Sequence, residues 1–142
     1  MALTFDFYQD AGLTVLLDDF AGWVEADDGS TSPQDKQVWL GSPVANRVAK
    51  TQTNPGVDHI LASLADVNAG MGEPVSAFRL ALTQGGLATA TPGAPLDLGV
   101  TQILSGTANA KTFWIRVTDQ TGVAGDYADI SLLASPLRDD PV

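Results

Sequence analysis

His59 is the single histidine of the chain, so Ser-His-Asp chemistry or imidazole general-base catalysis would have to run through it. Ser42 and Ser63 are among the serines that could serve as its nucleophile. Such a site needs a base held against the nucleophile and a third group orienting the base. No Gly-X-Ser-X-Gly elbow presents a serine in that way. A lone histidine beside the turn Asn54-Pro55-Gly56 therefore reads as a structural or solvated residue. Carboxylates offer a second chemistry. Asp18-Asp19, Asp27-Asp28 and Asp139-Asp140 are oxygen-ligand pairs of the kind Ca²⁺ accepts. Asp27-Asp28-Gly29-Ser30 is the best of them, yet it lacks the alternating acidic spacing of an EF-hand loop. Adjacent residues of an extended chain also point to opposite sides, so a pair seldom supplies two ligands. These acids read as solvated loops, and neither a metal nor another cofactor is expected. A glycosidase pair of carboxyls is conceivable among so many acids but is unmarked by any motif. Asp119-Gln120-Thr121-Gly122 reads as a turn, because Gln120 interrupts the Asp-Thr-Gly of an aspartic protease.

The remaining chemistry is that of contact. Trp23, Trp39 and Trp114 are aromatic anchors suited to a protein interface or to stacking on sugar, and Arg116 lies two residues beyond Trp114. Ordinary packing competes with both readings at every tryptophan. Trp39 and Trp114 fall mid-strand, whereas Trp23, between Gly22 and Val24 beside a polar stretch, is the best candidate for exposure.

The elements that would position these residues are short strands. Residues 111–133 carry the clearest signal: two alternating runs rich in aromatic and β-branched residues flank a connection containing Gly122 and Gly125, which predicts a β-hairpin. Phe113, Ile115 and Val117 fall on one face of its first strand, Trp114, Arg116 and Thr118 on the other. Ile130 and Leu132 would face the first set, and Gly125 would permit a positive φ in the turn. Leu3, Phe5 and Phe7 alternate as a first strand, and further strands are expected at 13–17, 36–41, 75–83 and 96–104. Residues 57–67 fit either period and are assigned to a strand because their surroundings are β. Residues 26–35 read as an exposed loop. Residues 84–95 hold too little apolar bulk for a core element, and 136–142 read as a flexible acidic tail. The expectation is one domain over 1–135, all-β, an antiparallel Ig-like β-sandwich of about seven to nine strands.

Composition narrows the partners. Seventeen acidic residues face seven basic ones, a formal net charge of -10. A chain with so few Lys and Arg is a poor ligand for nucleic acid or for an anionic membrane surface. No run of about 18 apolar residues is present to span a membrane. Without Cys, disulfides and thiolate metal sites are excluded. The N-terminus carries no signal-peptide pattern, so the chain reads as complete from its initiator Met and as made in a cytoplasm.

Phe-Trp-Ile-Arg-Val-Thr-Asp at 113–119, Thr-Gly-Val-Ala-Gly-Asp-Tyr-Ala-Asp at 121–129, Trp-Leu-Gly-Ser-Pro at 39–43 and Asn-Pro-Gly-Val-Asp at 54–58 resemble small Ig-like β-sandwich proteins of tailed bacteriophages and prophages. The likeness covers about half the chain and brings no catalytic motif. It implies a non-enzymatic virion component, most directly a capsid decoration (cement) protein. Such a protein would bind the major capsid protein, other virion proteins or sister subunits as a homo-oligomer. A neck or tail accessory protein, or a carbohydrate-binding adhesion module, is the alternative. The loops at 26–35 and 84–95 and both termini are expected to order on assembly.

Overall fold

A computed structural model describes residues 3–17, 24–25, 34–66, 75–117, 125–126 and 130–142. Among these residues the regular structure is twelve β-strands and three single turns of 3-10 helix. The strands are β1 (Asp6–Tyr8), β2 (Val24–Glu25), β3 (Gln34–Gly41), β4 (Arg47–Thr51), β5 (Leu61–Asp66), β6 (Phe78–Ala81), β7 (Leu96–Asp97), β8 (Gln102–Leu104), β9 (Lys111–Val117), β10 (Gly125–Asp126), β11 (Ile130–Ala134) and β12 (Leu137–Pro141). Every pairing is antiparallel. Four sheets result, with strand orders β1-β3-β9-β6, β12-β4-β8, β11-β5-β7 and β10-β2.

The alternation seen in the sequence is realised most fully in β9. Phe113, Ile115 and Val117 are buried while Thr112, Trp114 and Arg116 between them are only half-buried. The first set joins Phe5, Phe7, Val38, Leu40, Phe78 and Leu80 in one hydrophobic core. Ala49, Ala62, Ile103 and Leu137, from the two three-stranded sheets, complete the same core. Phe7 meets Phe113 edge-on, with ring centroids 5.9 Å apart and planes at 85°, the T-shaped geometry that aromatic quadrupoles favour. Residues 57–67 follow the strand reading from Leu61 onward, as β5.

Several expectations are corrected. The two arms of the expected hairpin do not pair: β9 lies between β3 and β6, and β11 pairs with β5. Twelve residues separate Val117 from Ile130, far more than a tight hairpin turn needs, and both edges of β9 find other partners. Gly125 opens β10 rather than a turn, and the rest of that connection lies outside the described residues. Residues 13–17 form only an isolated bridge, Tyr8 to Leu16. Residues 96–104 divide into β7 and β8, in different sheets, and Gly99 between them takes a φ of +75°, which a side chain would disfavour.

The tail at 136–142 is instead β12, whose register runs from Leu137 opposite Thr51 to Pro141 opposite Arg47. Leu137 belongs to the core, so the folded unit does not end at 135. One acid of this strand is neutralised by a residue distant in sequence, the other by its neighbour Arg138. Asp139, its side chain 2% exposed, accepts bonds from Arg47 Nε at 2.6 Å and from the Thr4 amide and hydroxyl, each at 2.6 Å. Burial alone would raise its pKa, but the donors of Thr4 and Arg47 outweigh that and hold it below the ordinary value.

Candidate interaction face

The candidate residues assemble on the side of the four-stranded sheet that faces away from the core. Register places Tyr8, Trp39 and Thr112 in one row across β1, β3 and β9. Gln37, Trp114 and Ala81 form the next row, and Asp35, Arg116 and Arg79 the third. Trp39 and Trp114 are thus diagonal neighbours, about 7–8 Å apart by strand geometry. Sequence reasoning put Trp114 and Arg116 on this face, and the structure adds Trp39 beside them. Trp23 lies outside the described residues.

Two loops clasp opposite corners of the face. Residues 9–17 fold over the β1–β3 corner. Asp10 organises that loop, its carboxylate accepting from the Thr14 hydroxyl at 2.6 Å, the Thr14 amide at 3.0 Å and the Val15 amide at 2.9 Å. The Thr14 hydroxyl is the main reason its pKa lies below the usual value. Leu13 is buried despite a positive φ of 54°. Its side chain seats where Gly41 has no Cβ: an added methyl would stand 3.1 Å from Leu13 Cδ1 and 2.9 Å from Ala110 Cβ. Gly41→Ala is therefore expected to destabilise the protein by about 1–3 kcal/mol, an overpacking cost, measured as a shift of the urea midpoint.

The second clasp is the 3-10 turn Gly85–Ala88, with its flank. Arg79 Nη1 donates to the carbonyls of Ala88 at 3.2 Å and Leu87 at 3.4 Å. Gln84 Nε2 reaches Asp35 at 3.2 Å. Leu87 is fully buried yet stands apart from the main core cluster. The stretch 84–95, expected to hold too little apolar bulk for a core element, thus buries one leucine outside the main core cluster. Arg116 and Arg79 sit directly opposite one another, like charges that would repel. Asp35 offsets this by taking a two-point bond from Arg116, Nε to Oδ1 at 2.8 Å and Nη2 to Oδ2 at 3.1 Å. That contact is the leading cause of its lowered pKa. Arg116 is thus committed to an internal pair.

Between the clasps remain Gln37, Trp39, Thr112 and Trp114, all half-buried. They form a patch with the two indoles on one diagonal and an amide and a hydroxyl on the other.

The alternative chemistry assembles less completely. His59 Nδ1 bonds Asp97 at 2.9 Å, with both side chains about half exposed. Ser42 is buried, its hydroxyl accepting from the Val44 amide at 3.1 Å. Ser63 is half-buried on β5, bonded by no described group to His59. Ser135 shares a concavity of about 360 Å³ with His59, but its hydroxyl accepts from the Leu61 amide at 2.8 Å. Among the described residues no three metal-ligating side chains converge. Asp139 and Asp140 point to opposite sides of β12, to Arg47 and Arg138 respectively, and the pairs at 18–19 and 27–28 lie outside the described residues. No helix of the described residues is long and apolar enough to cross a membrane.

No protein-family model, curated protein or solved structure matches the chain.

Proposed function

We propose that this protein is a non-enzymatic structural component of a larger assembly that docks through the Trp39 and Trp114 patch of its four-stranded sheet. The assembly that the sequence likeness supports is a tailed-phage virion, with capsid decoration as the role and a neck or tail position as its alternative. We further read the architecture as an Ig-like β-sandwich, with the four-stranded sheet as one layer and the two three-stranded sheets as the other. The shared core supports this layering. Trp39 and Trp114, held half-buried between two fixed loops, carry the functional reading. Indoles on rigid strands lose little entropy on contact and are the side chains on which interface energy concentrates. Weak contacts of this kind, repeated over a lattice, retain a subunit through avidity.

The test is binding of the purified chain to capsids that lack it. Trp39→Ala and Trp114→Ala are each expected to weaken retention by about 30-fold or more, the hot-spot range. Circular dichroism would verify that the variants are folded. Equal retention of both folded variants, or no binding by the parent chain, would overturn the reading. Copy number separates the positions: parity with the capsid protein fits decoration, and about a dozen copies fits neck or tail. The polar pair Gln37 and Thr112 beside the indoles favours a second reading, a glycan stacked on the same patch. Saturable binding of an oligosaccharide, abolished by Trp114→Ala, would replace the first.

A further inference from the structure

The chain has four arginines, and three of them turn the Nε side of the guanidinium onto an aspartate. Arg116 holds Asp35 by Nε at 2.8 Å and Nη2 at 3.1 Å. Arg138 holds Asp140 in the same two-point way, at 2.7 Å and 3.1 Å. Arg47 Nε meets Asp139 at 2.6 Å. Arg79 is the exception. It donates from Nη1 alone, to the carbonyls of Leu87 and Ala88. Among the described residues no acceptor meets its Nε–Nη2 edge, and no carboxylate pairs with it. That edge is the planar fork whose two N–H groups match the two oxygens of a carboxylate.

The open fork is not due to a shortage of acids, since seventeen face seven basic residues. Asp35, the acid of the same row, is already taken at both oxygens by Arg116 and Gln84. Arg79 and Arg116 stand opposite one another across β6 and β9, so with Asp35 they leave one net positive charge. The half-buried Arg79 side chain is also oriented in advance. The turn whose carbonyls hold Nη1 is itself anchored by the fully buried Leu87. A group fixed before contact loses little entropy on binding. Its place on the sheet gives it an aromatic neighbour. Trp39, Trp114 and Arg79 fall on one diagonal across β3, β9 and β6, each step about 7–8 Å.

Given the docking reading above, on which this depends, we infer that the fork of Arg79 takes an aspartate or glutamate carboxylate of the protein docked on the Trp39 and Trp114 patch. A carboxylate is the side-chain group that offers two coplanar acceptor oxygens together with the charge that cancels the excess. It sits about one diagonal step beyond the group packed on Trp114. The net charge of -10 repels an acidic tract, but that repulsion is screened beyond about 8 Å at physiological ionic strength. The partner therefore presents a local acid beside apolar surface and not a polyanion.

The test uses the full chain and capsids that lack it, before and after a carbodiimide and an amine have converted their surface carboxylates to amides. Arg79→Gln is expected to weaken retention on untreated capsids about tenfold or more, as loss of a charged hydrogen-bonded pair does. Amidation should weaken the parent chain by a similar factor and leave Arg79→Gln unchanged, the non-additivity that marks direct contact. Arg79→Lys keeps the charge and a donor for the carbonyls but loses the fork, so it should fall between. It carries the same comparison if the glutamine variant shows a lowered urea midpoint. Retention of Arg79→Gln equal to the parent, with Trp114→Ala lost, would overturn this inference and leave the docking reading standing. Equal losses on amidation by parent and variant would place the capsid acid elsewhere and overturn it too. A parent chain that binds neither capsid would remove the docking reading and this inference together. Saturable binding of a uronic-acid oligosaccharide, lost in Arg79→Gln, would assign the fork to a sugar carboxylate and overturn the protein partner.

Discussion

Asp139→Ala should cost the folded state about 3–5 kcal/mol, a large share of the 5–15 kcal/mol that ordinarily holds a domain together. The carboxylate is nearly sealed from water and collects three donors. Removing it leaves the half-buried Arg47 guanidinium beside an emptied site and frees the amide of Thr4. The penalty of stranding such groups exceeds the modest net worth of the bonds themselves. Asp139→Asn, which keeps the volume, should recover part of the loss but not the ionic part. The sign with pH follows from the lowered pKa. Because the folded pKa lies below the unfolded one, the contribution is complete above the unfolded carboxylate value, about 3.9. It drains away as pH falls through the lower, folded value. Denaturant titrations of the parent chain between pH 6 and pH 2 should show stability falling with acid, and Asp139→Asn should show a shallower fall. A parallel pair of curves would mean that Asp139 does not carry the acid sensitivity.

Phe113→Ala should be nearly as damaging, at about 3–5 kcal/mol. Phe113 is fully buried, stands opposite Val38 and packs edge-on against Phe7. Its removal opens a cavity at the centre of the four-stranded sheet, flanked by strands on both sides that cannot close over it. In a chain of this size the loss corresponds to a melting temperature lower by about 10–20 °C. Trp114→Ala, one residue along, should cost much less stability, because its ring is only half-buried. The contrast between neighbours separates the two faces of β9. Comparable destabilisation by both would mean that Trp114 is core and would remove it from the proposed docking site.

The face assignment within β9 was legible because period two is a local property, written in seven consecutive residues. Pairing was not. The alternation in β9 and β11 is the same whether the strands pair with each other or with β3, β6 and β5, and only the length of the connection hinted against a hairpin. The C-terminal strand was illegible for a sharper reason. Leu-Arg-Asp-Asp-Pro reads as solvated polar chain until Arg47, 92 residues away, is brought to Asp139. Leu87 was hidden in the same way, a single apolar residue in a Gly- and Thr-rich stretch whose burial depends on where Arg79 and Asp35 hold the loop. In the candidate site, Trp39, Trp114 and Arg116 could be named from the sequence. That Arg116 is already spent on Asp35, and that two loops cover opposite corners of the face, could not.

The bond between Thr4 and Asp139 also has a bearing on time. It joins positions 135 residues apart, so the chain must close nearly its largest loop before the contact can form. Such a contact is expected to be absent from the folding transition state, with loss of Asp139 felt almost wholly as faster unfolding. The staple between the ends then governs how long a folded molecule survives, while having little to do with how quickly it is made.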